Sequence, residues 1–230
     1  MQLNVLNSAL EVHLVATSEN GNTMLESQLA RLKNGELFCT WTTGHHYEPH
    51  VKTYTMCARS SDGGKHWYGH KILFQHPYQG IYTPCLFQDE DGTLYAFFCT
   101  YCWPGSRIIG SYYQSFVSRA DPDALHWTIP RRYCGAVDGL AVKQACRHEG
   151  KLYLAASYFE PINDKWPDPD LDWHKPCIVN GRNISKAEFD YMGRGDRLAV
   201  SIFESEDNAE SARRISRRFT RTENLRLMRR

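Results

Sequence analysis

The stretch DEDGTLYAFF, residues 89–98, recurs with substitutions as LKNGELFCTW at residues 32–41 and as RHEGKLYLAA at residues 147–156. In each copy a polar segment precedes a glycine, and a leucine two positions after that glycine opens a run of aromatic and small apolar residues. A polar turn whose glycine supplies a positive φ, followed by a strand buried on both faces, is typical of a β-hairpin. The sequence therefore predicts three equivalent hairpins, centred on Gly35, Gly92 and Gly150.

A second polar motif follows the first two hairpins. It reads SSDGGKHW at residues 60–67 and SRADPDALHW at residues 118–127, and both copies come after strand-like runs. In such a turn the aspartate carboxylate can accept backbone N–H bonds, glycine adopts the left-handed backbone region, and tryptophan covers the hairpin. Each repeat unit is therefore predicted to contain about four short strands.

Repeated four-stranded units indicate an all-β propeller. No amphipathic helix of about ten or more residues lies between the strands, which disfavours a βαβ fold. At this repeat length 230 residues hold about four units, so the propeller is predicted to be incomplete, with a further repeat near residues 194–198. Open strand edges would favour self-association. We expect propeller blades over residues 1–208 and a basic C-terminal extension over residues 209–230.

The composition excludes disordered and membrane-spanning classes. Hydrophobic residues make up 42% of the chain, enough for a packed core. No apolar run reaches about 18 residues and no secretory leader is visible, so a cytoplasmic location is the default expectation. Six of the eight cysteines lie in strand-like runs, where we expect buried thiols rather than disulfides. These are Cys39, Cys57, Cys85, Cys99, Cys146 and Cys177.

Charge is distributed unevenly along the chain. The formal net charge is +1, yet eight arginines fall within residues 211–230. An arginine-rich tail could contact nucleic acid or an acidic surface. Because aromatic residues hardly alternate with these arginines, we expect a solvated segment and no nucleic-acid partner.

The motif Ser60-x-Asp62-x-Gly64-x-x-Trp67 resembles the Asp-box, or BNR repeat, of the sialidase (neuraminidase) superfamily. Segments around the three glycines resemble blade strands of that superfamily over about residues 20–160. The resemblance implies a six-bladed propeller whose funnel binds glycans, and commonly the cleavage of terminal sialic acid. It also implies that these four motif residues form a structural turn and take no part in the chemistry.

The chain departs from the family pattern in two respects. Six blades need more residues than this sequence holds, so the tyrosine and glutamate that form the family's nucleophile pair would fall in later blades. The family also places an arginine before its first-blade strand, as part of a clamp on the substrate carboxylate. No arginine stands at the corresponding residues 25–27.

The loop GHHYEPH, residues 44–50, holds the candidate catalytic residues Glu48, His46 and Tyr47. In the resembling family the corresponding loop carries an acid/base aspartate, and here Glu48 is the nearest carboxylate. Glu48 could protonate a leaving oxygen if burial raises its pKa. His46 and Tyr47 could instead act as base and acid in β-elimination from a uronic acid, and the histidines could bind a divalent metal.

The remaining candidates are predicted to bind substrate at the mouth of the same funnel. An arginine could pair with a sugar carboxylate in bidentate fashion, and a tryptophan could stack on a sugar ring. The predicted binding residues are His45, His50, Trp103, Arg107, Lys143, Gln144 and Glu160.

The sequence thus predicts a sialidase-like glycoside hydrolase acting on terminal acidic sugars of glycans, of the exo-α-sialidase type. Two other functions stay open. One is a non-catalytic propeller module that binds glycan or protein, and the other is a propeller-fold polysaccharide lyase. A glycan is the expected partner, and we expect neither a cofactor nor a resident metal.

Overall fold

The computed structural model describes residues 13–18, 22–46, 50, 52–77, 79–102, 112–133, 141–159, 198–209, 212–215 and 219–220. These residues contain thirteen β-strands and no helix, which confirms the all-β prediction. The strands are β1 (Leu25–Arg31), β2 (Leu37–Thr43), β3 (Tyr54–Ser60), β4 (Tyr68–Phe74), β5 (Gly80–Gln88), β6 (Leu94–Cys102), β7 (Tyr112–Ala120), β8 (Arg131–Arg132), β9 (Ala141–His148), β10 (Lys151–Phe159), β11 (Leu198–Ser205), β12 (Arg213–Arg214) and β13 (Phe219–Thr220).

The strands form three antiparallel sheets that follow the sequence repeat. The orders β1-β2-β3-β4, β5-β6-β7-β8 and β9-β10-β11-β12 each run outward from the first strand, and β13 also pairs with β11. We call these sheets blade 1, blade 2 and blade 3. The first strands of successive blades are neighbours, so β1, β5 and β9 lie side by side on the inside of the arc. This arrangement is that of consecutive propeller blades around a common axis.

The three glycine hairpins form as predicted. Gly35, Gly92 and Gly150 have φ values of 92°, 95° and 77°, which an L-residue adopts only at a cost. At Gly92 an added Cβ would also lie 2.8 Å from the Lys33 side chain and 3.0 Å from Pro122. Glycine is therefore required there both by backbone conformation and by the close approach of two neighbouring turns.

The turn predicted between β3 and β4 is built around one serine and one aspartate. The Ser60 hydroxyl donates to Asp62 Oδ1 at 2.8 Å and accepts the Gly64 N–H at 2.9 Å. The indole Nε1 of Trp67 donates to the Gly64 carbonyl at 2.9 Å. Each predicted member of the motif therefore bonds to another member, and we call this arrangement an aspartate turn.

Blade 2 has an aspartate turn at the predicted place, in spite of its two extra residues. Asp121 accepts the backbone N–H of Leu125 at 2.8 Å and that of His126 at 3.2 Å. The indole of Trp127 donates to the Ala124 carbonyl at 3.2 Å. Ala124 takes the positive φ, 54°, that glycine takes in blade 1.

Blade 3 has a third aspartate turn that the sequence did not reveal. The Ser205 hydroxyl donates to Asp207 Oδ1 at 2.8 Å and accepts the Ala209 N–H at 2.8 Å, matching the bonds in blade 1. Asn208 and Ala209 have φ values of 56° and 65°, where blade 1 has two glycines. The absence of glycine hid this turn from a motif search.

Buried side chains fill the spaces between consecutive blades. Fully burying one aromatic or large aliphatic side chain contributes about 1.5–3 kcal/mol, so these layers provide most of the stabilisation between sheets. Between blades 1 and 2 the layer includes Leu32, Phe38, Cys57, Leu94, Ala120 and Ala124. Between blades 2 and 3 it includes Cys85, Phe97, Val117, Leu152, Leu154 and Phe203.

Most of the described cysteines are buried thiols, as expected. Burial raises the pKa of Cys39 and Cys85 to about 11, so both remain protonated. Cys146 was expected to be buried but is exposed. The reason is strand alternation: its neighbour Ala145 packs against the core, so Cys146 points away from blade 2. Cys177 lies outside the described residues.

The two ends of the blades differ in what they carry. We call the end with the glycine hairpins and aspartate turns the hairpin face, and the end with the β2–β3 connection, residues 44–53, the loop face. Antiparallel pairing places the beginning of each first strand at the loop face. Accordingly, the Ile81 N–H at the beginning of β5 donates to the Thr53 carbonyl at 3.0 Å.

The described residues near the C-terminus belong to the third sheet. Of residues 194–198 only Leu198 is described, and it begins the third strand of blade 3 rather than a fourth repeat. Within the predicted basic extension, β12 and β13 pair with β11 and enlarge the third sheet. No helix in the described part of the chain has the length and apolar character needed to cross a bilayer.

Candidate functional site

The β2–β3 connection leaves the sheet through a glycine that no other residue could replace without strain. Gly44 has a φ of 116°. A Cβ at this position would lie 2.5 Å from the Lys52 carbonyl oxygen and 2.7 Å from the Tyr54 ring. The two ends of the connection therefore run very close together, which determines where the following histidines lie.

Three predicted site residues meet on this connection. The rings of His45 and His50 stack with centroids 3.5 Å apart and planes inclined by 13°. The ring of His46 lies 4.1 Å from that of His45, inclined by 30°. We call this group the histidine stack. Face-to-face packing of the rings does not direct their nitrogens at a common point.

Backbone bonds anchor both ends of the histidine stack. The N–H and the hydroxyl of Thr23 both donate to the His45 carbonyl at 2.8 Å. The Thr53 hydroxyl donates to the His50 carbonyl at 2.9 Å. His45 and His50 are therefore fixed through their backbones.

His50 is held in its neutral form. The Lys52 N–H donates to Nδ1 of His50 at 3.1 Å, which requires an unprotonated nitrogen. Burial lowers the pKa of His50 below its ordinary value, and the neighbouring His45 and Lys52 lower it further. The proton of the neutral ring therefore sits on Nε2.

Irregular pairing in the first strands positions another group of polar side chains. Pairing of β1 with β2 shifts between Leu25 and Gln28, and pairing of β9 with β10 shifts at Lys143. A bulge of this kind redirects the side chains of the bulged residues. Glu26, inside the first bulge, has a φ of 52°, a region that ordinarily costs an L-residue about 1–2 kcal/mol.

The two bulged residues meet across the arc. Lys143 Nζ lies 3.6 Å from Glu26 Oε1, although β5 separates their strands in the order of first strands. The Lys143 side chain is 53% exposed and that of Glu26 only 21%. Glu26 Oε2 is buried and accepts no hydrogen bond from the described residues. Sequence reasoning selected Lys143 but missed Glu26, whose only signal was a charged residue in an otherwise uncharged strand start.

Gln144 follows Lys143 but does not share its environment. It pairs with Ala155 in the regular part of β9, and its side chain is exposed. Among the predicted binding residues, the structure thus brings Lys143 to Glu26 and His45 to His50. Five predicted residues lie outside the described part of the chain. They are Tyr47, Glu48, Trp103, Arg107 and Glu160.

The motif residues Ser60, Asp62, Gly64 and Trp67 lie on the hairpin face, at the opposite end from the histidine stack. A backbone N–H bond from His66, with the bond from its ring, lowers the pKa of Asp62 far below its ordinary value. This carboxylate is therefore charged and fully used within its own turn.

A cavity of about 520 Å³ flanks blade 1 on the side away from blade 2. Trp41, Tyr54 and Met56 supply its apolar wall, and Thr43 and His70 supply polar atoms. His70 already binds the Val15 carbonyl at 2.7 Å. Over the described residues no three His, Cys, Asp or Glu side chains are placed to share a metal ion.

Comparison with known proteins adds evidence about the fold. No protein-family model matches the sequence, and no curated protein matches it significantly. Solved structures do match. A protein of unknown function from Dyadobacter fermentans is 13% identical, with a TM-score of 0.63 over 87% of this chain and 56% of that one.

Two sialidases are also similar. The Hadza microbial sialidase Hz136 is 15% identical, with a TM-score of 0.59 over 85% of this chain and 38% of its own. The sialidase of Trypanosoma rangeli, in complex with the inhibitor DANA, is 12% identical, with a TM-score of 0.55 over 86% and 31%. The chain therefore spans 56%, 38% and 31% of the length of these three structures. At these identities the comparisons establish a sialidase-like, all-β propeller fold.

Proposed function

We propose that this chain is a sialidase-like glycoside hydrolase that removes terminal acidic sugars from glycans, as an exo-α-sialidase does. The observation that carries the proposal is that the histidine stack and the cationic Lys143 both lie on the loop face, at the same end of a sialidase-like propeller. We further propose that the aspartate turns are Asp-box repeats of the sialidase superfamily. In blade 1 the bonds join residues that define that motif, and in blade 3 Ser205 and Asp207 make the matching bonds.

Glycoside hydrolysis needs a proton donor at the leaving oxygen and a second group on the opposite side of the sugar ring. We assign the donor role to Glu48, which stands in sequence between the two anchored residues His45 and His50. His46 and Tyr47 are its proposed partners in proton transfer. Neutral His50 stands two residues after Glu48 in sequence and adds no positive charge there.

The remaining candidates are assigned to substrate binding. Lys143 supplies a half-exposed positive charge near the axis, and Gln144 an exposed amide beside it. Arg107 is proposed to pair with the sugar carboxylate and Trp103 to stack on the ring. Glu160, which directly follows β10, is proposed to accept hydrogen bonds from sugar hydroxyls.

A polysaccharide lyase is the second candidate, and the grouping of histidines at the loop face favours it. β-Elimination from a uronic acid requires a base that removes the proton beside the carboxylate and an acid that protonates the leaving oxygen. His46 and Tyr47 would act as this base and acid. If a glycan binds without reacting, the chain is a non-catalytic glycan-binding module.

The test is hydrolysis of a fluorogenic α-sialoside by the full chain and by Glu48→Gln. Losing a positioned proton donor should lower kcat by about 10²–10⁴-fold. Glu149→Gln is the matched control, because Glu149 is exposed on the hairpin face and should leave turnover unchanged. Unchanged turnover in Glu48→Gln would remove Glu48 from the mechanism.

Two further measurements separate the alternatives. Ultraviolet absorbance of an unsaturated product, with uronic-acid polymers as substrate, would identify a lyase. Calorimetric binding of an acidic oligosaccharide with neither reaction would identify a binding module.

A further inference from the structure

We propose that Glu26 and Lys143 form a clamp for a sugar hydroxyl at the inner edge of the blades. This inference deepens the proposed function, on which it rests, by naming the part of the sugar that these first strands contact. Lys143 and Glu26 form an ion pair whose nitrogen and oxygen lie 3.6 Å apart. The pair joins blade 1 to blade 3, and each member comes from a bulge near the beginning of its first strand.

The distance between the two groups fits a bridging hydroxyl better than a direct bond. Lys143 Nζ and Glu26 Oε1 are 3.6 Å apart, beyond the roughly 2.7–3.2 Å of a good N–H···O hydrogen bond. A hydroxyl placed beside both atoms would accept from the ammonium and donate to the carboxylate. Both of its bonds would be charge-assisted, which makes them stronger than bonds between neutral groups.

Exposure of the two side chains also fits this use. Lys143 is 53% exposed, so its ammonium has donors available to a ligand that approaches along the axis. Glu26 is 21% exposed, with Oε2 covered and Oε1 facing the ammonium. The carboxylate therefore has one oxygen placed to receive a hydroxyl proton and one enclosed by protein.

The charge of the pair decides which chemical group it prefers. A lysine and a glutamate together carry no net charge, so the pair has little attraction for a carboxylate. A carboxylate at Lys143 would also lie close to Glu26 and be repelled by it. A hydroxyl suits both partners, because it is donor and acceptor at once. We therefore assign the hydroxyl groups of the sugar to this clamp and leave its carboxylate to another cation.

The location of the clamp is compatible with the proposed catalytic loop. Glu26 follows Thr23 by three residues, and Thr23 binds the His45 carbonyl with both its N–H and its hydroxyl. Three extended residues span at most roughly 11 Å. One sugar residue could therefore reach the clamp while its glycosidic bond lies near the histidine stack.

The experiment measures calorimetric binding of two probes to the full chain, N-acetylneuraminic acid and its methyl ester. The ester has the same hydroxyls and no negative charge. Glu26→Gln and Lys143→Met should each weaken binding of both probes by about tenfold, because each removes one charge-assisted bond to the same hydroxyl. Lys143→Arg should restore most of the affinity that Lys143→Met loses.

The sign of the Glu26→Gln effect decides between the clamp and a carboxylate contact. If Lys143 bound the sugar carboxylate, removing the negative charge of Glu26 would strengthen binding of the acid, and Lys143→Met would weaken binding of the acid alone. Either result would overturn the clamp. Equal binding by wild type and both variants would overturn it too, while leaving the proposed function in place.

Controls distinguish three causes of a negative result: a folding defect in a variant, an incorrect proposed function and an incorrect proposal of the clamp. Lys151→Met removes a lysine paired with Glu204 and Glu206 at the hairpin face, and should leave both affinities unchanged. Unfolding midpoints of all variants identify any loss of structure, and the Lys143→Arg variant provides a second measurement if Lys143→Met unfolds. A wild-type chain that binds neither probe would overturn the proposed function together with the clamp.

Discussion

The hairpin face and the loop face are made from the same three repeats but by different means. On the hairpin face, equivalent positions do equivalent work: Ser60 and Ser205 make matching bonds, and Asp89 and Arg147, which occupy the same position of successive repeats, pair with each other. On the described part of the loop face the side chains differ between repeats: blade 1 contributes the histidine stack and blade 3 contributes Lys143. Repetition thus marks the residues that hold the blades together, and departure from it marks the candidates for function.

Breaking the contact between hairpins should give the largest loss of stability. Arg147 Nε donates to both carboxylate oxygens of Asp89 at 2.8 Å, and its side chain is only 16% exposed. Arg147→Ala leaves Asp89 charged and covered, which should lower the free energy of unfolding by about 3 kcal/mol. Urea denaturation measures this change.

The double variant Arg147→Ala/Asp89→Ala is the control for that measurement. Because it leaves no unpaired charge, it should be more stable than Arg147→Ala alone. A single variant as stable as wild type would show that the pair does not join blades 2 and 3 energetically.

A substitution on the loop face should lower the free energy of unfolding less than Arg147→Ala does, but should lower activity more. Gly44→Ala forces a Cβ to within 2.5 Å of the Lys52 carbonyl, and should destabilise the chain by about 1–3 kcal/mol while displacing the histidine stack. Gly35→Ala is the matched control on the hairpin face, since its φ of 92° is also positive but nothing lies within 4 Å of the added atom. It should cost about 1 kcal/mol, the backbone cost alone.

Sialoside turnover of the two glycine variants, measured together with urea denaturation, separates an effect on the site from an effect on stability. Gly44→Ala should lose activity and Gly35→Ala should retain it. The reverse pattern would mean that the connection carrying the histidine stack is not part of the site.

Acidification should change stability the least of these perturbations. The contributions of the loop face and of the hairpin face should be lost in different pH ranges. The pKa of His50 is lowered by burial and by His45 from an ordinary value of 6.5, so its contribution to stability is present above that pH and lost as the pH falls through the lower folded value. Burial alone would raise the pKa of Asp89, but Arg147 lowers it below 3.8, so that contribution persists until the pH falls below 3.8.

Thermal unfolding between about pH 8 and pH 3 measures both transitions. His50→Asn should remove the loss at the higher pH, because the asparagine oxygen can replace Nδ1 as the acceptor for Lys52 without titrating. Asp89→Asn should reduce the loss at the lower pH by the share of Asp89, since other carboxyls with a lowered pKa, such as Asp62, also titrate there. Each effect should be a fraction of that of Arg147→Ala. Identical pH profiles for wild type and His50→Asn would contradict the proposed neutral state of His50.

Sequence predicted the parts of the fold that local chemistry determines. The glycine hairpins and the first aspartate turn are defined within about eight residues, so their patterns are visible without coordinates. The third turn was hidden because Asn208 and Ala209 adopt a backbone conformation that glycine usually supplies. Its position was also obscured, since Ser205 lies much further from Gly150 than Ser60 lies from Gly35.

The candidate site was only partly accessible to the same reasoning. The histidines lie close together in sequence, so their grouping was predictable, although their stacking was not. Blade 2 lies between Glu26 and Lys143 in the chain, and only the curvature of the arc brings them together. The predicted burial of Cys146 was wrong for a related reason. Which side of a strand faces a neighbouring blade depends on the register of that strand, and the bulge at Lys143 alters the register.

The pairing of β10 with β11 has a practical consequence for protein engineering. Eight consecutive residue pairs, from Leu152 with Ser205 to Phe159 with Leu198, join strands that 38 residues separate in sequence. Because the entropy of closing a loop grows only slowly with its length, the register does not depend on a short connection. Foreign binding segments of varied length could therefore be grafted between Phe159 and Leu198. The stability of the aspartate turn at Ser205 would show whether the third sheet still folds with the grafted segment.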